Sequence, residues 1–346
     1  MRALLACFCA LFVSSAFAQA TLIPASSALI YFNTPPNVIP GTPTDAYLLA
    51  NYPATSYSGY TATTDLGWTE HSDGVAWVID TMPVPPGASA NGTNTLLWAF
   101  HPTVARTSIS ATPGLPSNYE LFGSGYGGTQ TSSYLTTTNG QWTMVCNNGS
   151  GQCPTSTPFP AFQSVTGNNT SLATLQGKLP MLAASNPYYI ECGYTLSQQN
   201  ANNWFAEWLW TAEKNLGSTT KWAEVDVNET PNNLSLGQGS TLHYWGPGNN
   251  QLYVASGSTV TYTAEHISGE AWNPTAATPH VTFYLDGSTF SGSTVNFSAT
   301  SPTATPSAAW SGFHHFLTLN MQGHANSVAG SAVNAQVRYC AAFVSP

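Results

Sequence analysis

Short apolar runs separated by polar and turn residues dominate this chain. Val75–Ile79 and Leu96–Phe100 are typical of buried strands, and Val281–Leu285 is followed by an Asp-Gly turn signal. From Ser240 onward such runs recur at short intervals. This spacing, with little helical periodicity, predicts an all-β protein built as a β-sandwich.

The segment Trp204–Lys214 is the one whose sequence could also form a helix. Trp208 and Trp210 nevertheless alternate as they would in a strand, and the surrounding sequence is rich in β signals, so we predict a strand. Residues 19–166 are rich in Thr, Ser, Gly, Pro and Asn and point to no reaction. This long β-rich N-terminal extension predicts either extra strands of the same sandwich or a separate β module.

The first residues of the chain predict a secretory signal peptide over residues 1–18. Arg2 precedes an apolar run, and Ala16-Phe17-Ala18 fits an A-x-A cleavage site. No later stretch is long and apolar enough to predict a transmembrane helix. We therefore expect a secreted protein, extracellular or periplasmic, that acts as a monomer and does not bind membranes.

The charge balance restricts the partners further. The chain has 15 acidic and 6 basic residues, with a formal net charge of −9. This argues against binding to nucleic acid or to an anionic membrane surface, and it favours a neutral over a sulfated polysaccharide. Because few acids can have a basic partner, we also expect little stability to be lost in acid.

The cysteines outside the predicted signal peptide are Cys146, Cys153, Cys192 and Cys340. In an exported protein they suggest two disulfides, with three possible connectivities. Cys146 and Cys153 flank a short loop that would close easily, so we pair them. Cys192 and Cys340 lie in predicted strands and form the second predicted pair. Neither C-x2-C nor H-E-x-x-H occurs, so we predict no metal site and no cofactor.

The densest cluster of acidic residues lies on one predicted strand. Glu224 and Asp226 alternate with valines and therefore share one face. Glu229 would point to the other face of a regular strand, but a β-bulge of one extra residue would bring it to the same face. Two carboxyls about 5 to 5.5 Å apart are what a retaining glycoside hydrolase requires. The alternative is a solvated strand with its acids facing outward.

Several segments of the second half occur in the order found in a known family. They are Pro187–Glu191, Trp204–Trp208, the E-x-D-x-x-E pattern of Glu224–Glu229, Thr241–Asn250, His266 with Trp272, Val281–Gly287 and Val337–Cys340. Over roughly residues 187–343 the chain resembles glycoside hydrolase family 16, the concanavalin-like β-jelly-roll enzymes that include laminarinases. The resemblance implies a catalytic jelly-roll core over residues 167–346.

The same resemblance implies roles for the acids. Glu224 would be the nucleophile and Glu229 the acid/base. Asp226 would lie between them and control how protons are distributed. Electrostatics agrees, because like charges this close raise the pKa of one carboxyl and let it stay protonated beside an ionised one.

Four further residues in the matched segments would contact substrate: Trp204, Trp208, His243 and Trp245. The tryptophans could stack on sugar rings, with core packing as the alternative for each. His243 could hydrogen-bond substrate near the acids. The chain departs from the family pattern at four positions. Phe205 replaces Pro after the first Trp, Ala223 and Asn228 replace commoner residues within the acidic signature, and Trp245 stands where the family usually has Gly.

The sequence therefore predicts an endo-acting retaining glycoside hydrolase on β-glucan, with β-1,3 linkages favoured. A non-catalytic, lectin-like polysaccharide-binding protein on the same fold is the alternative. The presence of all three acids favours the enzyme, because a lectin has no need of them together. Either protein would take a polysaccharide as its partner.

Overall fold

The computed structural model describes residues 37–74, 77–100, 135–138, 141–146, 161–163, 180–197, 203–215, 222–230, 239–246, 249–255, 263–296, 312–323 and 333–346. The predicted signal peptide and Cys153 lie outside these ranges. Across the part of the chain that is described, no helix is long and apolar enough to cross a membrane.

Strands make up most of the described chain, which confirms the all-β prediction. They are β1 Thr61–Thr63, β2 Thr69–Ser72, β3 Trp77–Thr81, β4 Thr95–Phe100, β5 Leu135–Thr138, β6 Gln141–Cys146, β7 Ala161–Gln163, β8 Leu182–Ala183, β9 Tyr188–Leu196, β10 Asn203–Thr211, β11 Trp222–Thr230, β12 Gly239–Gly246, β13 Asn249–Ala255, β14 His266–Asn273, β15 His280–Leu285, β16 Ser288–Asn296, β17 His314–Gly323 and β18 Val333–Val344. Short helices are α1 Asp45–Asn51, α2 Pro86–Ala90 and α3 Ala212–Asn215, with a 3-10 turn at Ala54–Ser56. The strand predicted from Trp204 thus ends at Thr211, and the remaining residues begin α3.

Two large antiparallel sheets form a β-sandwich of the jelly-roll class. The first, which we call the site sheet, has the order β13-β12-β11-β10-β17-β7, and β8 also pairs with β17. The second, the back sheet, has the order β16-β15-β14-β9-β18-β6-β5, and β4 also pairs with β18. Strands β1, β2 and β3 form a small sheet of their own.

The hydrophobic core lies between the site sheet and the back sheet. Its buried side chains include Phe205, Leu209, Val225, Leu242 and Leu317 from the site sheet and Ile190, Tyr194, Trp272, Phe283 and Val337 from the back sheet. Burying each large apolar side chain stabilises the fold by about 1.5–3 kcal/mol relative to leaving that side chain exposed to water. Because strand side chains alternate, the residues between these core positions lie on the outer face of their sheet.

The segments before residue 167 contribute to the sandwich in two ways. Strands β4 and β6 pair with β18, and β7 pairs with β17, so these are extra strands of the two large sheets. Trp68, Ile79 and Ala88 pack instead with Tyr189 and Phe343 on the outer face of the back sheet. That face is therefore buried beneath the N-terminal segments.

Cys192 and Cys340 form a disulfide, as their predicted pairing requires. They lie directly opposite each other on β9 and β18, with their Cα atoms 4.1 Å apart, and both are fully buried in the core. The bond joins positions 148 residues apart in sequence. Cys146 ends β6, but its predicted partner Cys153 lies outside the described residues.

Candidate active site

The three acidic residues of β11 lie opposite every second residue of β10. The partners of Glu224, Asp226 and Glu229 are, in that order, Trp210, Trp208 and Ala206. Alternate residues of β10 share a face, so the three acids share a face as well. Because Val225 packs in the core, this shared face is the outer face of the site sheet.

A β-bulge between Asp226 and Glu229 produces this arrangement. The register of β11 shifts there against both strands: Asp226 lies opposite Trp208 and Asn228 lies opposite Glu207 on β10, and the pairing with β12 shifts between Asp226 and Glu229. The hydroxyl of Ser240 donates a 2.7 Å hydrogen bond to the carbonyl oxygen of Val227. This bond helps to satisfy the backbone where the regular ladder is interrupted. The bulge predicted from the spacing of the acids is confirmed.

The acids differ in exposure and in their surroundings. Asp226 is 4% exposed and Glu229 is 7% exposed, whereas Glu224 is half-buried. His243 of β12 lies opposite Glu224 of β11, and its Nε2 is 3.0 Å from Oδ2 of Asp226. Burial, and secondly the negative charge of Glu224, raise the pKa of Asp226 well above its ordinary value. Asp226 therefore keeps its proton to higher pH than an exposed aspartic acid does.

Trp208 lies beside Asp226 but is 4% exposed. Its indole Nε1 donates a 2.7 Å hydrogen bond to Oδ1 of Asn320, and its ring meets Trp210 edge-on at 5.6 Å. Little of the Trp208 ring is left for a sugar, so its stacking role stays a prediction. Trp210, half-buried opposite Glu224, and Asn320, opposite Ala206, also lie on this face, and the sequence pattern predicted no site role for either.

The other two predicted aromatic contacts can be placed by their backbone. Trp204 lies in β10 and pairs with Gln322, and Trp245 lies in β12 and pairs with Trp222. Their side chains lie outside the described part of the structure. Their contacts with sugar rings therefore stay predictions.

One group of side chains has the composition of a metal site. Atoms of Glu224, Asp226 and His243 that could serve as ligands all lie within 4.8 Å of one another. A metal ion would need the Asp226 carboxyl to be ionised, and burial of that carboxyl opposes ionisation. The proton that burial favours on Asp226 would therefore have to leave when a metal ion bound.

Comparison with solved structures finds similar folds. No family model matches the sequence, and no curated protein matches it. An endo-1,3-β-glucanase from Streptomyces sioyaensis matches at 16% identity with a TM-score of 0.45, over 72% of this chain and 90% of that chain. A mixed-linkage-glucan GH16 protein of Bacteroides ovatus, in complex with product, matches at 13% identity with a TM-score of 0.43, over 65% and 93%.

These solved structures are similar to this chain in fold. A pseudo β-1,3-glucanase of Mycobacterium tuberculosis also matches, at 15% identity with a TM-score of 0.47, over 73% of this chain and 100% of that chain. Because the identities are low and the TM-scores are below 0.5, nothing about activity follows from these matches.

Titratable groups other than the acids of β11 are also buried. Glu207 and Glu270 lie in the core of the sandwich, and burial is the largest cause that raises the pKa of each. Burial likewise raises the pKa of Glu191, against two hydrogen bonds from tyrosine hydroxyls that lower it. Burial lowers the pKa of His315 to about 3.

We expect the folded protein to be more stable near pH 5 than near pH 8. A carboxyl whose pKa is raised by folding contributes stability that is present below its unfolded pKa of about 4.3 and is lost as pH rises through the folded pKa. His315 acts in the opposite sense, because stability is lost as pH falls from about 6.5 towards its folded pKa. The stability maximum should therefore lie between the unfolded pKa of a carboxyl, about 4.3, and that of histidine, about 6.5. Thermal melts from about pH 3 to about pH 8 would locate it.

The variant Glu207→Gln provides the control for this pH dependence. Glutamine keeps an oxygen that can accept the hydrogen bond from Ser268 but cannot ionise. Its melting temperature should fall less between pH 5 and pH 8 than that of the wild type. An equal fall in both proteins would contradict a contribution from Glu207.

Proposed function

We propose that the chain is a secreted, endo-acting, retaining glycoside hydrolase that cleaves β-glucan, with β-1,3 linkages as its substrate. The observation that carries this proposal is the bulge of β11, which sets Glu224 and Glu229 on one face with Asp226 between them. A solvated acidic strand would not bury two of its three acids, whereas Asp226 and Glu229 are both buried. The net negative charge of the chain, −9, suits a neutral rather than a sulfated polysaccharide.

In the first step of the proposed reaction, the carboxylate of Glu224 attacks the anomeric carbon. The glycosidic C–O bond breaks as Glu229 donates its proton to the departing oxygen, which leaves a glycosyl ester on Glu224. In the second step the Glu229 carboxylate takes a proton from water as the water attacks the anomeric carbon. The ester bond to Glu224 breaks as the bond to water forms, which restores the Glu224 carboxylate, and the sugar keeps its original configuration.

Asp226 would assist by holding a proton between the two reacting groups. Burial and the neighbouring Glu224 charge raise the pKa of Asp226. Asp226 can therefore stay protonated while Glu224 is ionised, so that two negative charges do not lie next to each other. His243, 3.0 Å from Asp226, keeps this carboxyl in place through its Nε2. Neither residue needs to form a bond to the sugar in this scheme.

Reducing-sugar release from laminarin by the purified mature chain tests the proposal. Lichenan and agarose, assayed in parallel, report the preferred linkage, and chromatography of early products separates endo from exo cleavage. We expect oligosaccharides from laminarin, with no loss of rate in a metal chelator. Binding to laminarin without release of sugar would instead support the lectin-like alternative.

A further inference from the structure

A chain of buried hydrogen bonds crosses the core directly behind the bulge. The amide Nδ2 of Asn228 donates to the hydroxyl of Tyr194, which lies 2.9 Å from the hydroxyl of Ser268, and Ser268 donates to Oε2 of Glu207. All four side chains are 0% exposed. We call this set the bulge network.

The directions of these bonds follow from the donors available. Ser268 gives its single hydroxyl hydrogen to Glu207, so it can only accept from Tyr194. Tyr194 accepts from Asn228 and therefore donates to Ser268. Each hydroxyl thus accepts one bond and donates one, and removing the Tyr194 hydroxyl would break two bonds at once.

The bulge network ties the two sheets together at one point. Tyr194 of β9 and Ser268 of β14 belong to the back sheet, whereas Asn228 and Glu207 belong to the site sheet. Asn228 and Glu207 are register partners on the side of the bulge that leads to Glu229. The network therefore holds both strands where their regular pairing resumes.

Burial alone does not explain a polar network at this place. An apolar residue at position 228 would fill the core without the cost of burying an amide, which is about 1–3 kcal/mol if its hydrogen bonds are lost. Buried polar groups can instead fix a register, because only one arrangement satisfies them. A one-residue slip of β11 would turn Glu229 from the outer face into the core.

We propose that the bulge network positions Glu229, with Asn228 and Tyr194 as positioning residues that hold the bulge in the one register that sets the Glu229 carboxyl on the same face as Glu224. This inference rests on the proposed function, because it assigns the network a part in that reaction. The network does not touch the sugar; it acts through the backbone of β11. Small displacements suffice for a large effect, since a shift of about 1 Å can cost about 10²-fold in rate.

The test compares Tyr194→Phe with Tyr189→Phe. Both tyrosines are fully buried on β9 and hydrogen-bonded, but Tyr189 donates to Oε2 of Glu191 at 2.9 Å on the outer face of the back sheet. Both variants should stay folded, with the larger loss of thermal stability in Tyr194→Phe, because it breaks two hydrogen bonds and Tyr189→Phe breaks one. On laminarin, Tyr194→Phe should lower kcat by about 10- to 100-fold with KM within about twofold, whereas Tyr189→Phe should keep kcat within about twofold.

Two further variants secure the comparison. The double variant Asn228→Ala/Tyr194→Phe should lower kcat no further than Tyr194→Phe alone, because both changes break the same chain. If Tyr194→Phe does not fold, Ser268→Ala replaces it in the comparison, because Ser268 is the next residue of the bulge network. The same changes in kcat and KM are expected. Equal kcat in the Tyr194 and Tyr189 variants would overturn the proposal.

Amide hydrogen exchange separates failure of this proposal from failure of the proposed function. The amides of residues 227–229 should exchange at least about tenfold faster in Tyr194→Phe than in Tyr189→Phe, whether or not the protein cleaves laminarin. An inactive wild type with this difference would refute the hydrolase and support the network as the device that holds the bulge. Unchanged exchange at these amides would overturn the network, even in an active enzyme.

Discussion

Glu224→Gln is expected to lower kcat on laminarin by at least about 10³-fold while the fold and polymer binding remain intact. Glutamine has nearly the same shape as glutamate but cannot form the glycosyl ester. Glu229→Gln should lower kcat by about 10²–10⁴-fold, because proton donation to the leaving oxygen is lost. Asp80→Asn is the matched control, since Asp80 is exposed on β3 and pairs with His71 away from the site sheet.

Azide rescue would distinguish the two roles. In Glu224→Ala, azide can enter the vacated space and displace an activated aryl leaving group directly, which gives the α-glycosyl azide. In Glu229→Ala the glycosyl ester on Glu224 still forms, and azide displaces it to give the β-glycosyl azide. The opposite pattern of products would exchange the two assignments. Wild-type turnover by either glutamine variant would remove that residue from the reaction.

The double variant Cys192→Ala/Cys340→Ala should lose about 3–5 kcal/mol of unfolding free energy. The disulfide closes a loop with a sequence separation of 148, and loop-closure entropy predicts a larger effect for a longer loop. Both sulfurs are also buried in the core, so their removal costs packing. Urea unfolding followed by fluorescence and circular dichroism would measure the loss.

The variant Cys146→Ala/Cys153→Ala is the comparison for this measurement. The pairing predicted for these cysteines would close a much shorter loop and should contribute less, about 2–3 kcal/mol. A loss below about 1 kcal/mol for the Cys192/Cys340 variant would contradict the expected contribution of the buried bond. A peptide map that joins Cys146 to Cys340 would refute both pairings.

Local sequence patterns were sufficient to predict the strand that carries the acids. Alternation placed Glu224 and Asp226 on one face, and the spacing to Glu229 required the bulge that the structure contains. The same alternation identified β10 as a strand despite its helical look. These features could be predicted because they depend on residues close together in sequence.

The contribution of the N-terminal half could not be predicted in the same way. Strands β4 and β6 pair with β18, close to the other end of the chain. Nothing in a Thr- and Ser-rich sequence specifies a partner so far away. The sequence therefore left open the choice between extra strands and a separate module, whereas the structure contains both added strands and a small sheet.

The polar residues of the core could not be predicted from patterns either. A polar residue in a strand is normally assigned to the solvent face, but Glu207, Glu270 and Asn228 face the core. Trp208 shows the converse, because it lies on the site face yet is buried by its neighbours. Departure of Asn228 from the family pattern was the one signal in the sequence that could have indicated the bulge network.

The stereochemistry of the first product tests the central claim most directly. Proton NMR of a laminarin oligosaccharide, recorded within minutes of adding the wild-type chain, resolves the anomeric protons of newly formed reducing ends before they mutarotate. If Glu224 and Glu229 act as proposed, the β-anomer appears first and the α-anomer follows at the rate of mutarotation. Initial formation of the α-anomer, or no new reducing ends at all, would contradict the account.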